Sequence, residues 1–267
     1  MAFRPVYLIA SNSFCEAQPD FAKWIKPAEA RRMSQLLKRS VASASIVTDE
    51  AGTAPDSVIV ATGYGCWSNT EKILREMSAD SAAAMPTAFM QSTHNTIASL
   101  LAIRNNWHGY NSTVSNGPLS FECAMMEAWV RFQLGKSSNL LLGAYDEVTD
   151  CLLDSMKSDY GDALECKPVY ASFFLSDNNL HEKAKVVIEE VLSEPLEDYP
   201  TLMAQLLQKN VSRYIDASEF SDFSLVEGAV GLMKVVDEVC ASGGKDDRMA
   251  WVNTSSSNIM AIIVKAL

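Results

Sequence analysis

Histidine is scarce in this chain: His94, His108 and His181 are the three in 267 residues, and none lies beyond residue 181. That excludes any reaction that would draw a histidine base from the last third of the chain. Cysteine is also sparse. Cys15, Cys66, Cys123, Cys151, Cys166 and Cys240 include no C-x-x-C pair and do not cluster with the histidines. No zinc site, no other metal and no cofactor are therefore expected, and the thiols read as reduced and partly buried rather than as a disulfide framework. Apolar runs are short, pieces such as Leu140–Leu142 and Val186–Ile188. They fall far below the roughly 20 residues that span a bilayer. Met1–Ala10 lacks the long apolar stretch and small-residue cleavage site of a signal peptide, so a cytoplasmic protein is expected. Positive charge is in deficit, 22 Lys and Arg against 33 Asp and Glu, a net −11. Such a surface repels nucleic-acid backbones and anionic membranes. It equally disfavours an acidic protein partner.

What is present is the pattern of a globular α/β protein. Val6–Ala10, Ser57–Thr62, Leu140–Gly143 and Val169–Leu175 read as buried strands, with Ser112–Val114 as the end of another. Pro27–Ser45 reads as one helix with Met33, Leu36, Leu37 and Val41 on a single face. Asn69 is suited to cap a helix over Thr70–Met77, and Thr96–Arg104 is a further helical segment. Pro118–Leu134 places Leu119, Cys123, Met126, Val130 and Leu134 on one stripe before Gly135. After a short helix at Cys151–Met156 the alternation repeats in abbreviated form. Strands are expected at Lys185–Glu190, Arg213–Asp216, Met249–Val252 and Met260–Val264, a loop at Ser193–Asp198, and helices at Tyr199–Lys209 and Gly228–Ala241. The order implies duplicated βαβ halves, divided into 1–165 and a shortened 166–267 packed as one unit.

Several segments carry a resemblance: GYGCWSNTEKILREM from Gly63, PTAFMQSTHNTIASLLAI from Pro86, HGYNSTVSNGPLSFECAMMEA from His108 and GKSSNLLLGAYDE from Gly135. EARRM from Glu29, GAVGLMKVV from Gly228 and the C-terminal VNTSSSNIMAIIVKAL extend it. Together they resemble the β-ketoacyl-carrier-protein synthases, strongly in the first half and more weakly after about residue 185. The resemblance implies the thiolase-like fold, two similar mixed sheets in an α/β/α/β/α layering, with the second half trimmed.

Ketosynthases attack an acyl thioester with a cysteine at a strand-to-helix turn, where helix N-terminal amides lower the thiol pKa. Two histidines and a lysine from the second half assist decarboxylation. Counting without gaps between Gly109 and Gly135 puts the nucleophile on Pro118; a shift of two or three residues puts it on Asn116 or Ser115. The resemblance sets Ser218 and Asp222 where the two histidines stand. The degenerate positions are thus Pro118, Ser218 and Asp222. Ser115 and Cys66, the latter on a glycine-rich loop read as exposed, remain as substitute nucleophiles, and Cys123 reads as a packing residue.

The family also implies a dimer through Gln91–Ala98, the strand near Asn111–Val114 and the helix from Pro118. His94, Asn95, Thr113 and Phe121 are the expected interface residues. The leading expectation is a non-catalytic subunit of the chain-length-factor type, similar to those of aryl polyene and flexirubin-like pigment systems. It would pair with an active ketosynthase, or with itself, in carrier-protein-dependent fatty acid or polyketide elongation. The acyl carrier protein would be met indirectly, through the partner. The alternatives are an active acyltransferase or thioesterase with a non-standard nucleophile, and a homodimeric acyl-binding protein.

Overall fold

The computed structural model describes residues 3–14, 20–79, 86–160, 165–220 and 224–267. Its first half runs β1 (Val6–Ser13), α1 (Pro27–Ala30), α2 (Gln35–Ala51), β2 (Ser57–Ala61), α3 (Trp67–Ser78), α4 (Pro86–Met90), α5 (Thr96–Asn105), β3 (Tyr110–Val114), α6 (Ser120–Gln133), β4 (Asn139–Asp146), α7 (Asp150–Tyr160) and β5 (Val169–Ser176). The second half runs β6 (Val186–Pro195), α8 (Tyr199–Gln208), β7 (Arg213–Asp216), α9 (Gly228–Ser242), β8 (Arg248–Thr254) and β9 (Asn258–Ala266). Short 3-10 turns include Ala217–Glu219 after β7.

The strands form one nine-stranded sheet in the order β3-β2-β4-β5-β1-β6-β9-β8-β7. Both halves are built alike. In the first, β1 pairs antiparallel with β5, β5 antiparallel with β4, β4 parallel with β2 and β2 parallel with β3. In the second, β6 pairs antiparallel with β9, β9 antiparallel with β8 and β8 parallel with β7, where the sheet ends. The abbreviation is therefore local. Residues 62–119 carry α3, α4, α5 and β3 between β2 and α6, whereas only residues 217–227 separate β7 from α9. The outermost strand of the first half, β3, has no counterpart among the described residues of the second. The two expected sheets are also continuous, joined by Tyr7 opposite Val187 where β1 meets β6. The expected division after residue 165 passes ahead of β5, a strand whose two partners both lie in the first half-sheet.

Strand alternation creates the layers. Ile59, Leu140, Leu142, Phe173 and Val6 share one core with Trp251, Ile262 and Val264 of the second half and with α6 and α9. Those two helices therefore form the middle layer. The opposite strand faces, such as Val58, Val60, Leu141 and Phe174, pack on α2 and α5. Ala250, Val252, Ala261 and Ile263 pack on α8. Each fully buried large side chain in these cores contributes about 1.5–3 kcal/mol.

Local departures from the sequence pattern have physical causes. The helix expected over Pro27–Ser45 is two helices, because Ser34 is extended and its Oγ accepts the Leu37 amide as the α2 cap. Gly52, at φ +75°, ends α2 in the left-handed region. Asn69 caps nothing. The helix begins at Trp67, and Asn69 Nδ2 donates to the Gln91 carbonyl at 3.0 Å. The expected α6 stripe is displaced: Phe121, Ala124, Met125, Ala128 and Phe132 are buried, while Val130 and Leu134 are exposed. A helix between two half-sheets buries a wide arc, which a single-stripe pattern does not describe. The expected loop at Ser193–Asp198 begins as strand, with Ser193 opposite Met260.

Candidate functional site

The chain leaves β3 and enters α6 through a tight turn. Gly117 sits at φ +54°, and Ser120 Oγ donates to its carbonyl at 2.7 Å while accepting the Asn116 amide at 2.9 Å. Pro118 stands inside this turn. It offers no nucleophile, and it removes one N–H from the helix N-terminus, where an oxyanion would otherwise find donors. Ser115 is exposed, and its hydroxyl donates to the Gly63 carbonyl at 3.1 Å. No base is hydrogen-bonded to it among the described residues, so the activated pair that a serine nucleophile needs is missing. Cys123 is half-buried; its Sγ accepts from Asn116 Nδ2 at 3.1 Å and donates to Met260 Sδ at 3.8 Å, and it packs against the core shared by α6 and α9.

Directly beneath Pro118 lies a buried polar knot. Asn253 Nδ2 donates to the Pro118 carbonyl at 3.0 Å and to Glu122 Oε1 at 2.9 Å. Trp251 Nε1 donates to the same Oε1 at 2.6 Å. Glu122 is fully buried, and its Oε2 has no hydrogen-bond partner. Burial pushes its carboxyl above the usual range, against the opposing pull of the Trp251 and Asn253 hydrogen bonds. Gly228 closes the knot: a Cβ there would lie 2.0 Å from Glu122 Oε1. Phe220 stands edge-on to the Trp251 ring with centroids 5.5 Å apart. The space is filled by side chains of α6, α9 and β8.

Ser218 lies on the rim of this region. Its amide donates to Asp216 Oδ1 at 2.9 Å, and its hydroxyl bonds the same oxygen. Its polar groups are thus spent on a local turn. Asp222 lies outside the described residues. Glu122, Trp251 and Asn253 were not singled out by sequence reasoning, although a lone carboxylate inside the apolar run SFECAMM was a readable signal. Among the described residues no group of three His, Cys, Asp or Glu is placed to hold a metal ion. No described helix is long and apolar enough to cross a membrane.

The glycine-rich loop differs from its sequence reading. Cys66 is fully buried, not exposed. Burial first, and the neighbouring Glu147 carboxylate second, push its thiol up to about 12, so no useful thiolate exists at neutral pH. The loop is held from below by the end of β4. Asp146 accepts the Thr62 hydroxyl at 2.7 Å and the Gly63 and Tyr64 amides at 2.8 and 3.2 Å. Glu147 accepts the Ser68 amide at 2.8 Å in the first turn of α3. Burial raises the Asp146 carboxyl to about 6 despite these three hydrogen bonds.

The expected interface residues divide. His94 and Asn95 are exposed, and Asn95 Oδ1 accepts the hydroxyl of half-buried Thr113 at 2.8 Å. They border β3, which pairs on one side only, with β2. Phe121 is not on that surface. It is fully buried against Phe173, ring centroids 5.4 Å apart, because its position on α6 faces the middle of the core.

The family model of the β-ketoacyl synthase N-terminal domain matches residues 10–214. No curated protein matches the chain in sequence. Among solved structures, one chain of AntDE:AntF, a type II PKS acyl-carrier protein in complex with its ketosynthase bound to the hexaketide, aligns at TM-score 0.82 and 12% identity over 99% of this chain and 100% of that one. The ishigamide ketosynthase/chain length factor aligns at 0.75 and 14% over 93% and 85%. The ketosynthase ApeO in complex with its chain length factor ApeC, from Xenorhabdus doucetiae, aligns at 0.59 and 14% over 94% and 83%. At such identities the likeness establishes the fold.

Proposed function

The chain belongs to the β-ketoacyl synthase N-terminal domain family, and we propose that it serves there as a non-catalytic subunit of the chain-length-factor type. It pairs with an active ketosynthase in the cytoplasm and assists carrier-protein-dependent chain elongation. One observation carries the reading: the β3–α6 turn, where the resemblance puts the family's nucleophile on Pro118 or, with a shift, on Asn116 or Ser115, holds no cysteine, and its Pro118 carbonyl is tied to Asn253 above a buried Glu122. Two facts support it. No histidine follows His181, and Cys66 and Ser115 each lack what a substitute nucleophile requires. The solved complexes of similar fold that are described as ketosynthase with chain length factor support a ketosynthase as the partner.

The test is to incubate the pure chain, and the chain co-expressed with a ketosynthase, with acyl and malonyl carrier thioesters. The pure chain is expected to release no carbon dioxide coupled to acyl extension, and the pair to co-purify and extend. Extension by the pure chain, or an acyl group covalently retained on it, overturns the reading.

A further inference from the structure

The sequence holds one Asn-Gly pair, Asn116–Gly117, and it falls in the turn between β3 and α6. Both residues are exposed. Gly117 has no side chain, and beyond its chain neighbours nothing lies within 4 Å of where a Cβ would stand. Among the described residues its N–H donates to no acceptor. The carbonyl of Asn116 accepts the Leu119 amide at 3.2 Å, at the mouth of α6. The Asn116 carboxamide leans toward that helix, where Nδ2 donates to Cys123 Sγ at 3.1 Å. Sulfur is a weak acceptor, so this contact orients the group without locking it. Asn111, followed by Ser112, is held differently. It lies inside β3, and its Nδ2 donates to the Ala98 carbonyl at 2.9 Å.

We propose that Asn116–Gly117 is a self-modification site, at which the chain converts its own asparagine to aspartate and isoaspartate through a cyclic imide. Water and hydroxide are the co-reactants. Hydroxide takes the Gly117 amide proton, and the nitrogen attacks Asn116 Cγ to form a new C–N bond. The Cγ–Nδ2 bond then breaks, Nδ2 takes a proton from water, and ammonia leaves. Water opens the imide at either carbonyl. Breaking the new bond gives aspartate; breaking the original peptide bond gives isoaspartate, with one more carbon in the backbone. Nothing is oxidised or reduced. Three features of the turn favour ring closure. The absent Cβ leaves the nitrogen open to the carboxamide. Its N–H gives up no hydrogen bond on ionising. The charge is shared with the Asn116 carbonyl oxygen, which the Leu119 N–H and the positive end of α6 stabilise. The product adds a negative charge ahead of α6 and removes the donor to Cys123. Isoaspartate also lengthens the turn that Ser120 Oγ closes between the Asn116 amide and the Gly117 carbonyl. The chemistry does not depend on the companion role.

The experiment ages the full chain in mildly alkaline buffer, folded and in guanidinium, and follows it by peptide mass spectrometry with fragmentation that separates aspartate from isoaspartate. The folded chain should gain about 1 Da at position 116. It should do so at least about tenfold faster than at Asn111, and within about tenfold of the unfolded chain. Hydroxylamine, which cleaves such an imide, should cut the folded chain between residues 116 and 117. Gly117→Asn suits the left-handed conformation and precedes Pro118, which has no N–H to cyclise; it should slow the gain at position 116 at least about tenfold. Asn116→Gln, which would need a larger ring, should show no gain at that position. A folded chain that stays intact at position 116 while the unfolded chain reacts overturns the proposal, because the turn then protects the pair. So does an undiminished rate in folded Gly117→Asn, which would place the attack elsewhere than the Gly117 nitrogen.

Discussion

Glu122 and Trp251 are bonded across the middle layer, carboxylate Oε1 to indole Nε1 at 2.6 Å, so that α6 of the first half is pinned to β8 of the second. The pin passes beneath the turn that would carry a nucleophile, and Asn253 extends it to the Pro118 carbonyl. Glu122→Ala should leave the Trp251 N–H buried without an acceptor, while Asn253 keeps the Pro118 carbonyl. An orphaned buried donor costs about 1–3 kcal/mol, and the lost side-chain packing adds to it. Glu122→Gln, which retains an acceptor oxygen, should cost less. Urea unfolding of the two variants measures the difference, and equal midpoints would contradict the assignment.

The same carboxyl gives stability a pH dependence. Burial raises Glu122 above its ordinary 4.5 and Asp146 from 3.8 to about 6. Between the ordinary and raised values the folded chain holds protons that the unfolded chain has released. Their contribution to stability is therefore complete below the ordinary values. It drains away as pH rises, through about 6 in the case of Asp146. Glu122→Gln should show a shallower fall in unfolding free energy from pH 4 toward neutrality than the native chain. A parallel pair of curves would assign the slope elsewhere.

Thiol labelling separates the cysteines. Cys151 and Cys240 are exposed and Cys66 is fully buried, with its thiol held near 12. Iodoacetamide at pH 8 should modify Cys151 first and Cys240, whose thiol partial burial pushes up, more slowly, and leave Cys66 intact until denaturant is added, as peptide mass spectrometry would report. Rapid native labelling of Cys66 would return it to the set of reactive groups.

Much of the architecture was legible because strand and helix periods are local properties. Arg213–Asp216 and the faces of Leu36, Leu37 and Val41 on α2, and Leu232, Val235 and Val239 on α9, follow from spacing alone. What was not legible depends on contacts distant in sequence. The buried arc of α6 is set by contacts with both half-sheets far along the chain, Phe121 beside Phe173 and, more than a hundred residues away, Glu122 beside Trp251. Cys66 is read as exposed on its glycine-rich loop because nothing local reveals that Asp146 and Glu147 draw that loop onto the end of β4.

Restoring the missing atom should not restore the reaction. Pro118→Cys returns a thiol and an N–H to the turn at the start of α6, yet no histidine follows residue 181 to share its proton or assist decarboxylation. The variant should form no acyl-enzyme above background with an acyl carrier thioester, as intact-protein mass spectrometry reads directly. Stoichiometric acylation followed by extension would mean that the described side chains conceal a working base.

Assembly is tested by two substitutions that the sequence alone would treat as equivalent. Thr113 lies on β3, a strand with one open edge, and bonds to exposed Asn95. Phe121 lies one turn of helix past that edge, with no exposed surface. If the open edge of β3 is the dimer contact, Thr113→Arg places a charge where two copies, or this chain and its ketosynthase, would meet. The fold can keep that charge in water while the assembly cannot, so light scattering should show a folded monomer. Phe121→Arg replaces a fully buried ring packed on Phe173 with a guanidinium that must leave water for the core. That change should cost more than about 4 kcal/mol and yield unfolded or aggregated protein rather than a clean monomer. A monodisperse native monomer at micromolar concentration, or a Thr113→Arg chain that still dimerises, would move the interface away from β3 and weaken the companion role with it.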